Sequence, residues 1–79
     1  MNKVTLFTKP GCHLCEEVEE AIRHVIKGQF IDLELRNILD NLEDYERYKH
    51  DIPVVLLNGH EIARHRMSEN DFRRALAAR

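Results

Sequence analysis

Cys12 and Cys15 are the two thiols of a 79-residue chain, and only His13 and Leu14 separate them. They lie in Thr8-Lys9-Pro10-Gly11-Cys12-His13-Leu14-Cys15-Glu16-Glu17, between an apolar run and a stretch of helical periodicity. A Cys-x-x-Cys at such a strand-to-helix junction suits thiol redox chemistry, in which the thiolate is the reactive form. The first turn of a helix carries unpaired N–H groups and the positive end of the helix dipole. Both favour a thiolate there, lowering its pKa from about 8.5 to about 3.5–7.5. The spacing lets the second thiol reach the first after one helical turn. A metal half-site is the other chemistry open to the pair. Zinc would need two further ligands, and His13, His24, His50, His60 and His65 supply no second pair of the expected spacing.

Everything else in the chain must position that turn. Seventy-nine residues allow one domain with a modest core, expected here to span 1–79. A net charge of −2 gives no pull toward nucleic acid or an anionic membrane. The charges are unevenly placed, with seven acids against three bases from Asp32 to Asp51, and three acids against five arginines from Asn58 to Arg79. Solvated faces account for this, with partner docking second. The start, Met1-Asn2-Lys3-Val4-Thr5-Leu6-Phe7, lacks the apolar core of a signal peptide, and no stretch reaches the ~20 apolar residues of a membrane span. A cytoplasmic location follows as the expectation, and the two close cysteines are there to react or to bind metal.

Val4-Thr5-Leu6-Phe7-Thr8 reads as a buried central strand, ended by Lys9-Pro10-Gly11. From Cys12 onward, Cys15, Val18, Ile22, Val25 and Ile26 share one helical face. Glu16, Glu17, Glu19 and Glu20 open that helix, Arg23, His24 and Lys27 close it, and Gly28 stops it. Phe30 to Leu35 alternates strictly, with Ile31, Leu33 and Leu35 on one side and Asp32 and Glu34 on the other, as an edge strand does. A second helix is predicted from about Ile38 or Asp40 to Lys49, with Ile38, Leu42 and Tyr45 inward and a capping box between Asp40 and Glu43. Tyr45 and Tyr48 read as its packing residues. Val54-Val55-Leu56-Leu57 is another apolar strand, and Asn58-Gly59 turns it into a hairpin with His60 to Arg64. Ser68 caps the last helix with Asp71 at its third position, and Met67 and Phe72 form a hydrophobic staple. The order is β-α-β-α-β-β-α, which makes an α/β fold with a four-stranded mixed sheet and helices on both faces.

With these elements in place the chain resembles the glutaredoxins, the small redoxins of the thioredoxin fold. Thr8-Lys9-Pro10-Gly11-Cys12-His13-Leu14-Cys15 is similar to their Thr-Lys-Pro-x-Cys-x-x-Cys. Asp51-Ile52-Pro53 stands where the family has Thr-Val-Pro, and the hairpin leading to a terminal helix is theirs as well. The chain departs from them in three places. His13 and Leu14 replace the usual proline and aromatic residue between the cysteines. His65-Arg66-Met67-Ser68-Glu69 lacks the glycine pair that grips glutathione, and the tryptophan-containing C-terminal motif of the related redoxin that reduces ribonucleotide reductase is absent, the chain having no Trp. The resemblance is therefore to a branch divergent from the glutathione-binding glutaredoxins.

It implies a thiol–disulfide oxidoreductase or electron carrier, with Cys12 as nucleophile and Cys15 as resolving thiol. Lys9 matches the lysine that meets a carboxylate of glutathione. Pro53 is implied to be cis, with the Ile52 N–H and C=O left open to an extended substrate segment. His13, as a cation, would favour the thiolate, while Glu16 and Glu17 oppose it. Ser68 and Arg66 could offer a carboxylate site in place of the glycine pair, within a basic cluster of His60, Arg64, His65 and Arg66, with chance surface charge the first explanation of that cluster and the carboxylate site second. The implied partners are a disulfide-bearing protein or low-molecular-weight thiol and a reductant, either glutathione or thioredoxin reductase. No bound cofactor and a monomer are expected. The alternative is a binding or adaptor module of the same fold whose cysteines hold zinc or an iron–sulfur centre, or are not catalytic.

Overall fold

The computed structural model describes residues 2–78. Met1 and Arg79, the two ends of the expected 1–79 domain, lie outside the described residues. Strand β1 (Asn2–Thr8) is followed by helix α1 (His13–Ile26), strand β2 (Ile31–Asn37), helix α2 (Leu42–Tyr48), strands β3 (Val54–Leu57) and β4 (His60–Arg64), and helix α3 (Glu69–Ala78). The sheet runs β2-β1-β3-β4, with β1 and β2 parallel and the other pairs antiparallel. This is the thioredoxin-like α/β arrangement the sequence predicts.

Period-two alternation in the strands sorts the core onto two faces. Val4 and Leu6 of β1 and Val55 and Leu57 of β3 meet Val18, Ile22 and Val25 of α1, together with Met67 and Phe72 at the start of α3. Phe7 and Val54 point the other way, where they pack with Ile38 and, more loosely, Tyr48, Ile52 and Leu56. Burying each such side chain contributes about 1.5–3 kcal/mol. The first face therefore carries most of the hydrophobic stabilisation.

In the edge strand β2, Leu33 lies level with Val4 and Leu35 with Leu6 in the parallel register, but the alternation of burial fails at its far end, where Leu35 is exposed and Glu34 half-buried. Asp32 and Glu34 lie on the opposite side, where Glu34 pairs with Lys3 at 3.0 Å. Asn58 and Gly59 both have positive φ (52° and 87°), as a type I′ hairpin turn requires. Asn58 also ties the turn to β1, its N–H donating to the Lys3 carbonyl at 2.8 Å.

The second helix differs from the expectation. Ile38–Asp40 forms a separate 3-10 turn, and Asn41, not Asp40, caps α2 by accepting from the Asp44 N–H at 2.9 Å. Ile38 is fully buried, but Leu42 is 77% exposed and Tyr45 is also on the outside. The break between turn and helix shifts the phase of the pattern, so the inward residue is Tyr48, stacked on Phe7 with ring centroids 4.2 Å apart. Arg36 of β2 secures the same helix through Asp44 at 2.9 Å.

Candidate functional site

Sheet register gathers the candidate residues at one end of the molecule. Thr8 of β1 lies beside Asn37 of β2, Phe7 lies beside Val54 of β3, and Val54 lies beside Arg64 of β4. Lys9–Cys15, the Ile38–Asp40 turn, Ile52–Pro53 and His65–Ser68 therefore all adjoin that end.

Cys12 and Cys15 are joined as a disulfide, with their Cα atoms 5.2 Å apart. Lys9-Pro10-Gly11 makes the turn into the helix, closed by the Cys12 N–H donating to the Lys9 carbonyl. Cys12 is the N-cap of α1 in extended backbone conformation, and its sulfur accepts from the Cys15 N–H at 3.2 Å. A sulfur here takes the place of the oxygen that usually satisfies such a donor. Cys12 is partly exposed, whereas Cys15 is 1% exposed and lies on the buried face of α1 with Val18 and Ile22. One cysteine is reachable and the other is shielded.

His13 pairs with Glu17 one turn on, Nε2 to Oε2 at 3.0 Å, with both side chains mostly in solvent. The two side chains expected to act on the thiolate in opposite senses thus contact each other. Lys9 lines a shallow groove with Thr8, Pro10, Gly11, Glu16, Glu19, Leu35, Asn37 and Asp40. On the other side of the cysteine turn, Leu14, Glu17, Val18, Arg66, Met67, Ser68 and Asp71 enclose a cavity of about 460 Å³.

That second cavity tests the proposed carboxylate site. The Ser68 N–H donates to the Asp71 carboxylate at 3.2 Å, and the Asp71 N–H donates back to the Ser68 hydroxyl at 3.0 Å. The capping box read from sequence is formed, and it occupies two of the donors a ligand carboxylate would seek. The Ser68 N–H foremost, and the Ser68 side chain after it, hold the Asp71 carboxyl below the usual carboxylate range, with Arg74 adding to the effect. Arg66 lines the same cavity and has no ion-pair partner among the described residues. The basic cluster itself is divided: His60 begins β4 at the hairpin, and Arg64 ends it beside the site. Arg64 is bound to Glu61 through two hydrogen bonds of 2.7 Å and to Asp51 at 3.2 Å.

The Ile52–Pro53 bond is cis, as the resemblance implies, and Pro53 is buried. The Ile52 N–H, however, is not open to a substrate. It donates to the Tyr48 carbonyl at 3.2 Å, because the last turn of α2 runs on into this loop. Asp51 is the residue that sequence reasoning missed. Its carbonyl accepts from the His65 N–H at 3.2 Å, and its carboxylate reaches both Arg64 and His65, so it ties the proline loop to the segment entering α3. Nothing in the sequence marks a partnership across thirteen residues. Among the described residues no group of three or more His, Cys, Asp and Glu side chains converges as a metal site would need, and no helix is long and apolar enough to cross a membrane.

The chain has relatives among proteins of known family and structure. It is similar to a glutaredoxin-like protein of Dictyostelium discoideum, with 29% identity over 76 residues that span 85% of this chain and 68% of the relative. It is also similar to the solution structure of protein Ne2328 from Nitrosomonas europaea, at 25% identity and a TM-score of 0.76, covering 94% of this chain and 89% of that one. A thioredoxin-2 of the malaria parasite shares the fold at 21% identity and a TM-score of 0.78, covering 100% of this chain and 84% of that one. The family model for the glutaredoxin-like domain (DUF836) matches residues 3–77. With the fold, the helix-capping cysteine and this match in agreement, the chain belongs to the glutaredoxin-like domain family.

Proposed function

We propose that the chain is a thiol–disulfide oxidoreductase or electron carrier acting on disulfides of protein or low-molecular-weight thiol partners. The observation that carries this reading is the asymmetry of the pair: Cys12 is reachable at the N-cap of α1, and Cys15 is buried behind it. In the reduced protein the Cys12 thiolate attacks one sulfur of a substrate disulfide. A Cys12–substrate mixed disulfide forms and the other substrate half leaves as a thiolate. The Cys15 thiolate then attacks the Cys12 sulfur, re-forming the Cys12–Cys15 bond and expelling the second half. Two electrons pass to the substrate, and its two thiolates take up the two protons that Cys12 and Cys15 give up.

The N–H of Cys15 and the dipole of α1 favour the attacking thiolate. Lys9 assists with its charge from the adjoining turn, and His13 modulates the thiolate to the extent that Glu17 leaves its charge uncompensated. Pro53 and the Ile52 carbonyl form the wall against which a substrate segment lies. The cycle closes with a reductant, glutathione or thioredoxin reductase, in a cytoplasmic setting where such reductants operate.

Replacing Cys12 by Ser tests the reading. Reduction of a model disulfide falls to background if it is correct, and a Cys12→Ser protein with full activity excludes it. Stoichiometric zinc or iron in protein purified under reducing conditions favours a metal-binding module instead. Offering the oxidised protein glutathione and thioredoxin reductase in separate assays identifies the reductant.

A further inference from the structure

Among the described residues strand β2 pairs with β1 along one side only, and the sheet order places no strand beyond it. An open edge is a template for another strand, and proteins ordinarily guard it with charge or cover. The charges on β2 do not guard it against itself. Its seven residues read Ile31-Asp32-Leu33-Glu34-Leu35-Arg36-Asn37. Run antiparallel to a second copy about Glu34, they set Asp32 opposite Arg36, Leu33 opposite Leu35, and Ile31 opposite Asn37. Opposite charges and paired aliphatic side chains at directly facing positions both stabilise a ladder.

Glu34 meets its own copy at the two-fold axis, which taken alone is unfavourable. Each Glu34 is already paired with Lys3 at 3.0 Å, so four charges of both signs meet there with no net charge. Arg36 is held by Asp44 through one terminal nitrogen, and the rest of its fork has donors to spare. Slipping the register by two residues toward the start of β2 puts Asp32 opposite Glu34. Either two-residue slip shortens the pairing from seven facing residues to five; the other way keeps Glu34 opposite Arg36 but sets Leu33 against Asn37, and any odd slip sets leucines against charges.

A second observation points the same way. Phe30, just before the strand, is 89% exposed, and Leu35 and Leu39 are 41% and 57% exposed. Continuing the register sets Phe30 of one copy level with Ile38 of the other, next to the exposed Leu39. The occupant that fits this edge is another molecule of the same chain.

We propose that β2 is a self-association edge, and that two copies join their four-stranded sheets through an antiparallel β2–β2 pair centred on Glu34. Antiparallel pairing points the two dithiol ends in opposite directions and leaves both open to substrate. One short strand pair with flanking side chains falls below the roughly 1,200 Å² of a stable interface. The dimer is therefore weak and rises with concentration, in place of the fixed monomer expected from sequence. The inference does not depend on thiol chemistry, so its failure leaves the proposed function standing.

Cross-linking tests the register in the full chain carrying Cys12→Ser and Cys15→Ser. Facing residues have Cα atoms about 4.5–5.5 Å apart, within reach of a disulfide. Added Glu34→Cys then oxidises to a covalent dimer, whereas added Asp32→Cys does so at least about tenfold more slowly, its two copies being offset by about 13 Å along the strands. Asp32→Cys protein mixed with Arg36→Cys protein yields mainly the mixed dimer. Equal rates for Glu34→Cys and Asp32→Cys, with both proteins folded by circular dichroism, overturn the proposal. Sedimentation of the unmodified chain gives a second reading. Its average mass rises with concentration and Asp32→Arg suppresses the rise; a monomer at every concentration overturns the proposal as well.

Discussion

The Cys15 backbone N–H donates to the Cys12 sulfur across 3.2 Å, so Cys12 caps α1 through the same atom that the proposed mechanism has Cys15 attack. In the proposed mechanism the two cysteines do different work. Cys12 sits where negative charge is favoured, and Cys15 waits on the buried face. Replacing Cys15 by Ser should leave the first step intact and remove the second. Incubation with a disulfide substrate then gives a stable adduct on Cys12, seen by mass spectrometry, while multiple turnover drops to background.

The start of α3 is held by the reciprocal Ser68–Asp71 box. Loss of an N-cap hydroxyl ordinarily costs about 1 kcal/mol. Ser68→Ala should lower the unfolding free energy by about that much, seen as a lower urea midpoint at unchanged slope, and should increase hydrogen exchange in the first turn of α3.

Asp71 makes the same cap pH-dependent. Its folded pKa is depressed, chiefly by the Ser68 N–H, so its contribution is present above the ordinary Asp value of about 3.9. The contribution is lost as pH falls through the folded value. Asp71→Asn should therefore be less stable than the parent at pH 7, and the gap should close in acid. Denaturation midpoints across that range give the curve.

Phe72 is fully buried where α3 meets α1 and the sheet. Phe→Ala in such a site costs about 3–5 kcal/mol, a large part of the stability of a domain this small. Phe72→Ala should be largely unfolded at 37 °C, as judged by near-ultraviolet circular dichroism and thermal scans.

Much of this architecture is legible in the sequence because local signals there agree with one another. The acid-first, base-last α1 is one such case, Asn58-Gly59 another, and Ser68 with Asp71 a third. Reading failed where two short elements adjoin. Ile38 and Leu42 fit a single helical face four residues apart, yet a 3-10 turn and a new cap at Asn41 separate them, and Leu42 ends in solvent. The cysteines of the candidate site were legible from spacing alone. The Ile52 N–H bonding to Tyr48 and the Asp51 link to Arg64 and His65 were not, since each is fixed by how α2 and β4 dock around the proline loop.

The division of labour between the cysteines is tested most directly by timed alkylation of the fully reduced protein, with each cysteine followed by peptide mapping across pH. The expected result is that Cys12 is labelled first, with a pH midpoint below the about 8.5 of a free thiol, while Cys15 lags until the protein is unfolded. Labelling of Cys15 first, or equal labelling of both at the midpoint of a free thiol, would contradict the assignment of Cys12 as the nucleophile.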